Sequence, residues 1–505
     1  MNIVRQIARC FSETPTIRTW QKSLTLQQWF ASSCRYQSSD SKKSSYSSSS
    51  QQCCVAVVGS GPAGFYTAQQ LLKGDTNLIV DIYEKLPIPF GLVRFGVAPD
   101  HPEVKNVINT FTNTAQNERC NFFGNVEVGR DVSLRDLRDA YSAVVLCYGA
   151  SANKTLGIPG ENLPNVISAR SFVGWYNGLP QDKELQVNLN CESAVVLGHG
   201  NVALDVARIL LTPISILEKT DITEHALEAL RKSRVSKVHI VGRRGPLQVA
   251  FTIKELREMI KLPGARTVIQ REDVEGLDKV IDNLPRPRRR LTELMYKTAV
   301  APSSTDTKLW EQATREWRLV FLRSPVQILH NNDGSISGVE FAVNKLQCLC
   351  FQGEDQKSVA TDVRETIKCG LVLSSIGYRS VPLDSMLPFD TKNGIIDNEN
   401  SRVRGQQGLY CAGWVGKGPI GVILGTMTDA FETGKLVLHD LHSGDLRNPG
   451  RTKRDMLLNQ IRDRAVTFAD WLRIDSAETA AGEKIGKPRE KITDIQTLLK
   501  LARKC

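Results

Sequence analysis

The chain has no Cys-x-x-Cys pair, although its 505 residues include 12 cysteines. No cluster of Cys and His has zinc-site spacing either, so no metal is expected. The nearest cysteines are Cys53 beside Cys54, and Cys348 with Cys350. Without Cys-x-x-Cys, a dithiol–disulfide shuttle drops out of the available mechanisms, and the thiols read as free groups in a reducing compartment. No stretch approaches the roughly 18 continuous apolar residues that span a bilayer, so any membrane contact is expected from outside. Acids are scarce in one place: residues 1–50 hold only Glu13 and Asp40, against seven Lys/Arg and thirteen Ser.

Within those fifty residues, Ile3, Val4, Ile7, Ala8 and Phe11 fall on one helical face, with Arg5 and Arg9 off it. Arg-rich, Ser-rich, acid-poor and amphipathic is the composition of a mitochondrial presequence. A secretory signal would need a continuous apolar core, which is missing. The whole chain carries a net charge of +11, and five of those charges lie in 1–50. Apolar residues at 41% and charged residues at 24% are ordinary for a globular protein. The length suggests two to four domains.

The globular part opens on Val55-Ala56-Val57-Val58, which reads as a buried parallel strand. Next comes Gly59-Ser60-Gly61-Pro62-Ala63-Gly64, then a helix-compatible stretch over 65–72 and a second strand over 78–83 that ends at Glu84. Gly59 suits a tight turn, Gly61 lets backbone approach a pyrophosphate, and Gly64 lets helix and strand pack closely. The helix start offers free amides to phosphate. Glu84 stands where an acid accepts hydrogen bonds from ribose hydroxyls.

The pattern recurs with one change. A strand over 194–197 leads into Gly198-His199-Gly200-Asn201-Val202-Ala203 and a helix over 204–211. The following strand, 238–241, runs into Gly242-Arg243-Arg244 instead of an acid. An acid there would repel a ribose 2′-phosphate, whereas arginines pair with it through charge-assisted bonds. The first site therefore suits FAD and the second NADPH. A flavin accepts a hydride and releases electrons singly. Further on, Gly408-Leu409-Tyr410-Cys411-Ala412-Gly413-Trp414 reads as a strand returning the chain to the FAD domain, and Gly416 to Gly425 places glycines before a helix.

Several stretches resemble the adrenodoxin reductase family of mitochondrial ferredoxin–NADP⁺ reductases. They are Phe90-Gly91-Leu92-Val93-Arg94-Phe95-Gly96-Val97-Ala98-Pro99-Asp100-His101-Pro102, Gly200-Asn201-Val202-Ala203-Leu204-Asp205-Val206-Ala207-Arg208, Val241-Gly242-Arg243-Arg244-Gly245-Pro246, Phe251-Thr252-Ile253-Lys254-Glu255-Leu256-Arg257-Glu258 and Gly413-Trp414. The resemblance covers residues 54–505. It implies FAD contacts at Ala63, Glu84, Leu92, Val128, Trp414, Gly421, Val422 and Ile423. It implies NADP contacts at His199, Gly200, Asn201, Val202, Arg243, Arg244, Glu255 and Gly421. The family carries Gln where His199 stands, a change that leaves backbone contacts intact. His101 and Asp205 match a pair joined by a hydrogen-bonded path, expected to handle protons or couple the domains.

Reduced flavin needs an outside acceptor here, and an acidic [2Fe–2S] ferredoxin of the adrenodoxin type is the expected partner. A basic docking face would make that contact transient and electrostatic. The candidate is Arg286-Pro287-Arg288-Arg289-Arg290 with Arg257, which could share a helix face with Lys254 three residues earlier. The resemblance picks out Arg257, Arg286 and Arg290. It also implies service to haem monooxygenases of steroid metabolism or to iron–sulfur assembly, and peripheral contact with the inner membrane. The arginine run lacks the aromatics of a nucleic-acid site.

The expected architecture is α/β, with two Rossmann-like doubly wound domains. Residues 1–50 form the presequence and Ser-rich tail. FAD-binding segments at 51–152 and 378–505 flank an inserted NADP domain at 153–377. The competing readings are a flavin oxidase or monooxygenase needing no protein acceptor, and a sensor holding both nucleotides without turnover.

Overall fold

All five residues of the strand Cys54–Val58 are buried in the computed structural model. The period-2 geometry of a strand sends Val55 and Val57 into one apolar layer and Cys54, Ala56 and Val58 into the opposite one. A strand buried on both faces must be apolar throughout, which is why this run carries no alternation. The structure describes residues 52–347 and 356–503. The presequence reading of 1–50 lies outside the described residues.

Cys54–Val58 is central in a seven-stranded sheet. Parallel neighbours run in the order Leu409–Cys411, Ala143–Leu146, Cys54–Val58, Ile79–Tyr83 and Cys120–Phe123, and two short antiparallel strands, Arg402–Val403 and Asn398–Glu399, extend one edge. The sheet is thus assembled from two stretches far apart in sequence. The stretch between them builds a second sheet of six parallel strands: Val166–Ser168, Leu371–Ser374, Ser193–Leu197, Lys237–Val241, Arg315–Val320 and Ala265–Ile269. A short antiparallel ribbon, Ala152–Asn153 against Tyr378–Arg379, ties the two crossings together. The fold class is the α/β pair of nucleotide-binding sheets that the two glycine fingerprints predict.

One layer had no sequence signal. Helices cover one face of the six-stranded sheet, but Val195, Leu197 and Val241 on the other face pack against Ile328, Ile336, Val339 and Phe341. Those four residues belong to a three-stranded antiparallel sheet, Arg323–His330, Ile336–Gln347 and Lys357–Lys368.

The C-terminal segment packs Trp471, Ile474 and Leu498 into the core of the first sheet. On the opposite face of that sheet, its Arg454 grips the fully buried Asp81 through two bonds of 2.6 and 2.9 Å. The segment also reaches the second domain. Lys491, with Lys105, closes on Asp221 at 3.0 and 2.6 Å. Burial pushes the Lys491 ammonium down to about 7 and also lowers Lys105. Against its own burial, Asp221 is held below the usual carboxylate range by Lys491 and Lys105.

Replacing Asp221 with Asn leaves two buried ammonium groups without a counter-charge, and the expected loss is about 3–5 kcal/mol. A lysine whose folded value lies below its unfolded one makes stability rise with pH between the two. Without Asp221 the folded values fall further, so the Asp221→Asn deficit should shrink as pH rises towards the wild-type Lys491 value of about 7 in urea unfolding. A deficit that grew with pH would refute this account.

Candidate cofactor cleft and docking face

The glycines of the first fingerprint divide by what surrounds them. Gly59 has φ +105, and a Cβ there would lie 2.6 Å from the Cys147 carbonyl oxygen. A Cβ on Gly64 would strike the carbonyl oxygen of Gly59. Gly59 serves the close approach of the chain following the neighbouring strand Ala143–Leu146, and Gly64 the packing of helix Pro62–Gly74 on its own strand. Gly61 does not. It precedes that helix with φ −78 and ψ −171, a backbone open to any residue. A Cβ there would meet nothing within 4 Å. Gly200, before helix Asn201–Leu211, repeats this with φ −102 and equally open space. Two glycines demanded by neither backbone nor packing, each at a helix N-terminus, leave room that fits a pyrophosphate.

Glu84 follows the strand Ile79–Tyr83. Its carboxylate accepts from the Ser60 amide at 3.0 Å and hydroxyl at 2.7 Å, and from the Leu86 amide at 3.1 Å. The fingerprint loop thus sets the acid's position. A cavity of about 950 Å³ opens beside it. Gly59, Gly61, Ala63, Glu84, Leu92, Val128, Trp414, Gly421, Val422 and Ile423 line it. So do His101, Asn201, Val202, Asp205 and Glu255. Trp414 begins the short helix Trp414–Lys417 and stacks on Tyr378, with ring centroids 5.7 Å apart. Gly64 lies behind the cavity wall, and His199, Gly200, Arg243 and Arg244 fall beyond its lining.

His199 turns inward. Its Nε2 lies 3.1 Å from the Ile240 carbonyl, and its ring meets the Phe321 ring edge-on at 4.9 Å. Burial pushes the imidazole down to about 4, so it is neutral at physiological pH. The side chain therefore faces the interior, and the main chain of 199–202 is what the loop presents. Asn201 Oδ1 accepts from the Thr252 amide at 2.8 Å and so fixes the start of helix Ile253–Ile260. Arg243 and Arg244 are exposed, and neither is in an ion pair among the described residues.

His101 and Asp205 do not bond each other directly. His101 Nε2 lies 2.8 Å from Glu258 Oε2. Asp205 bonds Arg208 at 2.7 Å, and Arg208 also reaches Asp100 at 2.6 Å, Glu255 at 3.4 Å and Glu258 at 3.9 Å. The path between the pair thus runs through Glu258 and Arg208, two residues that sequence reasoning left unassigned. A signal was there: on a helix otherwise apolar from Val202 to Leu211, Arg208 stands three residues after Asp205, the spacing of an ion pair on one helix face. Burial raises the carboxyl values of Asp205 and Glu255, and Asp205 adds to the shift at Glu255. Asp100 is lowered, because the Arg208 bonds outweigh its burial. Asp100 and His101 come from the first sheet's stretch and the other four from the second's, so one guanidinium fastens the two across the cleft.

The arginine run starts the helix Arg286–Val300. Arg288 donates to the Val249 carbonyl at 2.8 Å. Arg289 pairs with Asp282 at 2.7 Å and Glu293 at 3.0 Å. Arg286 and Arg290, four residues apart, are exposed, as is Arg257 on the neighbouring helix. None of these three is in an ion pair among the described residues. Lys254 bonds Glu103 at 3.0 Å across the cleft mouth, which separates it in role from Arg257.

Two dinucleotide folds around one cleft, the first ending in an acid and the second in exposed arginines, define a two-domain flavoprotein reductase. Residues 54–261 match the model of the pyridine nucleotide-disulphide oxidoreductase family. The chain is 57% identical, over 88% of its length and 91% of the other, to the mitochondrial NADPH:adrenodoxin oxidoreductase of Homo sapiens. It is 44% identical to the Arabidopsis thaliana protein of that name, over 89% of this chain and 95% of that one. The structure of Mycobacterium tuberculosis FprA in complex with NADPH matches with a TM-score of 0.83 and 37% identity, covering 90% of this chain and 100% of that one. The chain belongs to the NADPH:adrenodoxin oxidoreductase family.

Proposed function

We propose that this protein moves reducing equivalents from NADPH through FAD to an adrenodoxin-type [2Fe–2S] ferredoxin in the mitochondrion. The observation that carries the reading is the pairing of two open-space glycines: Gly61, which lines the cavity, and Gly200, at the start of the helix whose Asn201 and Val202 line the same cavity. Bound FAD supplies the conversion between the two-electron chemistry of a nicotinamide and the one-electron chemistry of an iron–sulfur cluster. The chain's residues hold and shield. Glu84 takes ribose hydroxyls, and the amides after Gly61 and Gly200 take pyrophosphates. Arg243 and Arg244 take the 2′-phosphate. Ala63, Leu92, Val128, Trp414, Gly421, Val422 and Ile423 exclude water from the flavin side. Glu255 and Gly421 face the nicotinamide end. His101 holds a proton at Nε2 against Glu258, in a network with Arg208 and Asp205 that joins the halves.

An external acceptor follows from the thiols. Of the cysteines in the described residues, Cys54, Cys120, Cys147, Cys369 and Cys411 are buried, and none is in a disulfide. The ferredoxin contact is transient and electrostatic, made at Arg257, Arg286 and Arg290. The protein works as a monomer on the matrix side, peripheral to the inner membrane. No helix among the described residues is long and apolar enough to cross a membrane.

The test follows NADPH-dependent cytochrome c reduction with and without a mitochondrial-type ferredoxin. The double variant Arg286→Glu/Arg290→Glu should raise the KM for ferredoxin about tenfold or more and flatten its salt dependence, because steering by a charged face contributes on that scale. Reduction of ferricyanide, which needs no docking face, should be retained. NADPH oxidation at full rate without ferredoxin would instead favour a flavin oxidase.

A further inference from the structure

The antiparallel sheet Arg323–His330, Ile336–Gln347 and Lys357–Lys368 has no counterpart in the minimal nucleotide-binding unit. Its inner face closes the core, but the residues at one end do something else. They converge on the turn that carries Arg243 and Arg244.

Three successive carbonyls of that turn are held by this sheet or by the segment leading into it. The Gly242 carbonyl accepts from the Arg323 amide at 3.0 Å, and the Arg244 carbonyl accepts from the Leu322 amide at 3.2 Å. The Arg243 carbonyl, between them, accepts two bonds: from Asn344 Nδ2 at 2.7 Å and from the Ser358 hydroxyl at 2.6 Å. With its carbonyls fixed, the turn has little freedom to rotate, and both guanidinium stems start from set directions.

Asn344 is built for this contact at a cost. It is 3% exposed, and its Oδ1 has no hydrogen-bond partner. A buried amide with one unpaired oxygen packs less favourably than an apolar side chain of its size. Its Nδ2 nevertheless bonds both the Arg243 carbonyl and Ser324 Oγ, at 2.9 Å. It stands at a bulge, where the pairing of its strand with Lys357–Lys368 slips between Ala342 and Asn344. Bulges of this kind re-aim a side chain. Ser358 comes from the other strand of the same hairpin, an outer strand that is exposed along most of its length and contributes little to the core.

We propose that Asn344 and Ser358 are positioning residues for cofactor choice: they clamp the Arg243 carbonyl so that the arginine pair is pre-set for a ribose 2′-phosphate. This rests on assigning Arg243 and Arg244 to that phosphate. Pre-setting helps because a long, exposed guanidinium otherwise loses rotamer and backbone freedom when it binds. The benefit reaches only ligands that carry the phosphate.

The experiment measures affinity for 2′,5′-ADP, which has the phosphate, and for 5′-AMP, which lacks it, on the purified holoenzyme. Ser358→Ala sits on the outer strand and should fold. It is expected to weaken 2′,5′-ADP about three- to tenfold, the scale of one lost hydrogen bond. Binding of 5′-AMP should not change. The KM for NADPH should rise by the same factor with kcat within twofold, and Ser358→Thr, which keeps the hydroxyl, should restore both. Asn344→Leu keeps the branching at Cγ without the donor and should give a loss at least as large. Equal weakening of both nucleotides, or no weakening in either variant, overturns the proposal. Arg243→Ala separates the two levels. If it weakens 2′,5′-ADP while Ser358→Ala and Asn344→Leu do not, the clamp fails and the arginine assignment stands. If Arg243→Ala has no effect, the arginine assignment itself fails.

Discussion

Gly61→Val will fold and will be colourless. The substitution needs no backbone change, since φ −78 and ψ −171 lie in the extended region that valine favours. Its new Cβ has nothing within 4 Å. Its effect falls on a ligand alone. A branched side chain at the start of helix Pro62–Gly74 fills the space a pyrophosphate would take and keeps it from the helix amides. The expected result is native-like circular dichroism with flavin absorbance near zero. The same change at Gly64 is the contrast, because a Cβ there strikes the Gly59 carbonyl and the protein itself should suffer. A Gly61→Val protein that kept its full flavin would show that the dinucleotide approaches elsewhere. Gly200→Val should show the complementary behaviour: flavin retained, and no bleaching by NADPH.

The second large effect is a change of nicotinamide cofactor. Arg243→Ala/Arg244→Ala removes two exposed guanidinium groups that no carboxylate engages among the described residues. Charge-assisted hydrogen bonds to a phosphate contribute about 1.5–3 kcal/mol each. Losing both should therefore raise the KM for NADPH by about 10²-fold or more. NADH makes no such contact, and its kcat/KM should stay within a few-fold. Steady-state kinetics with both cofactors give the answer. Parallel losses for NADPH and NADH would mean that the arginines hold the fold or the ribose, and would end the 2′-phosphate assignment.

The strands and helices around both fingerprints could be read from sequence because their determinants are local. A run such as Val55 to Val58, a glycine turn and the following helix all lie within a few residues of one another. The cavity gathers Ala63, Leu92, Val128, Trp414 and the residues 421–423 from loops spread over most of the chain, and only the resemblance to a known family could bring those together. Three features stayed hidden. The antiparallel sheet is exposed along much of its outer strand, Lys357–Lys368, so it lacks the apolar pattern that announces a buried strand. The direction of the His199 ring depends on Ile240 and Phe321, which are distant in sequence. Of the partners of Arg208, Asp205 stands at helical spacing, but Glu255 comes from another helix and Asp100 from a loop of the other half of the molecule, and no spacing rule links those two to it.

The order in which the strands are joined also sets an order of assembly. The six-stranded sheet is built from one uninterrupted stretch, Val166 to Ser374. The seven-stranded sheet pairs Val144 with Leu409, so it stays incomplete until the chain beyond the inserted domain has been made. During synthesis, or on threading through a membrane N-terminus first, the inserted domain can close while its host is still missing an interior strand. Long-range pairings of this kind are slow to form. The C-terminal residues that reach back to Asp81 and Asp221 are the last to arrive. Finished protein and half-made chain should therefore differ sharply in protease resistance, with the host-sheet strands of residues 54–146 remaining cleavable until the final helices are in place.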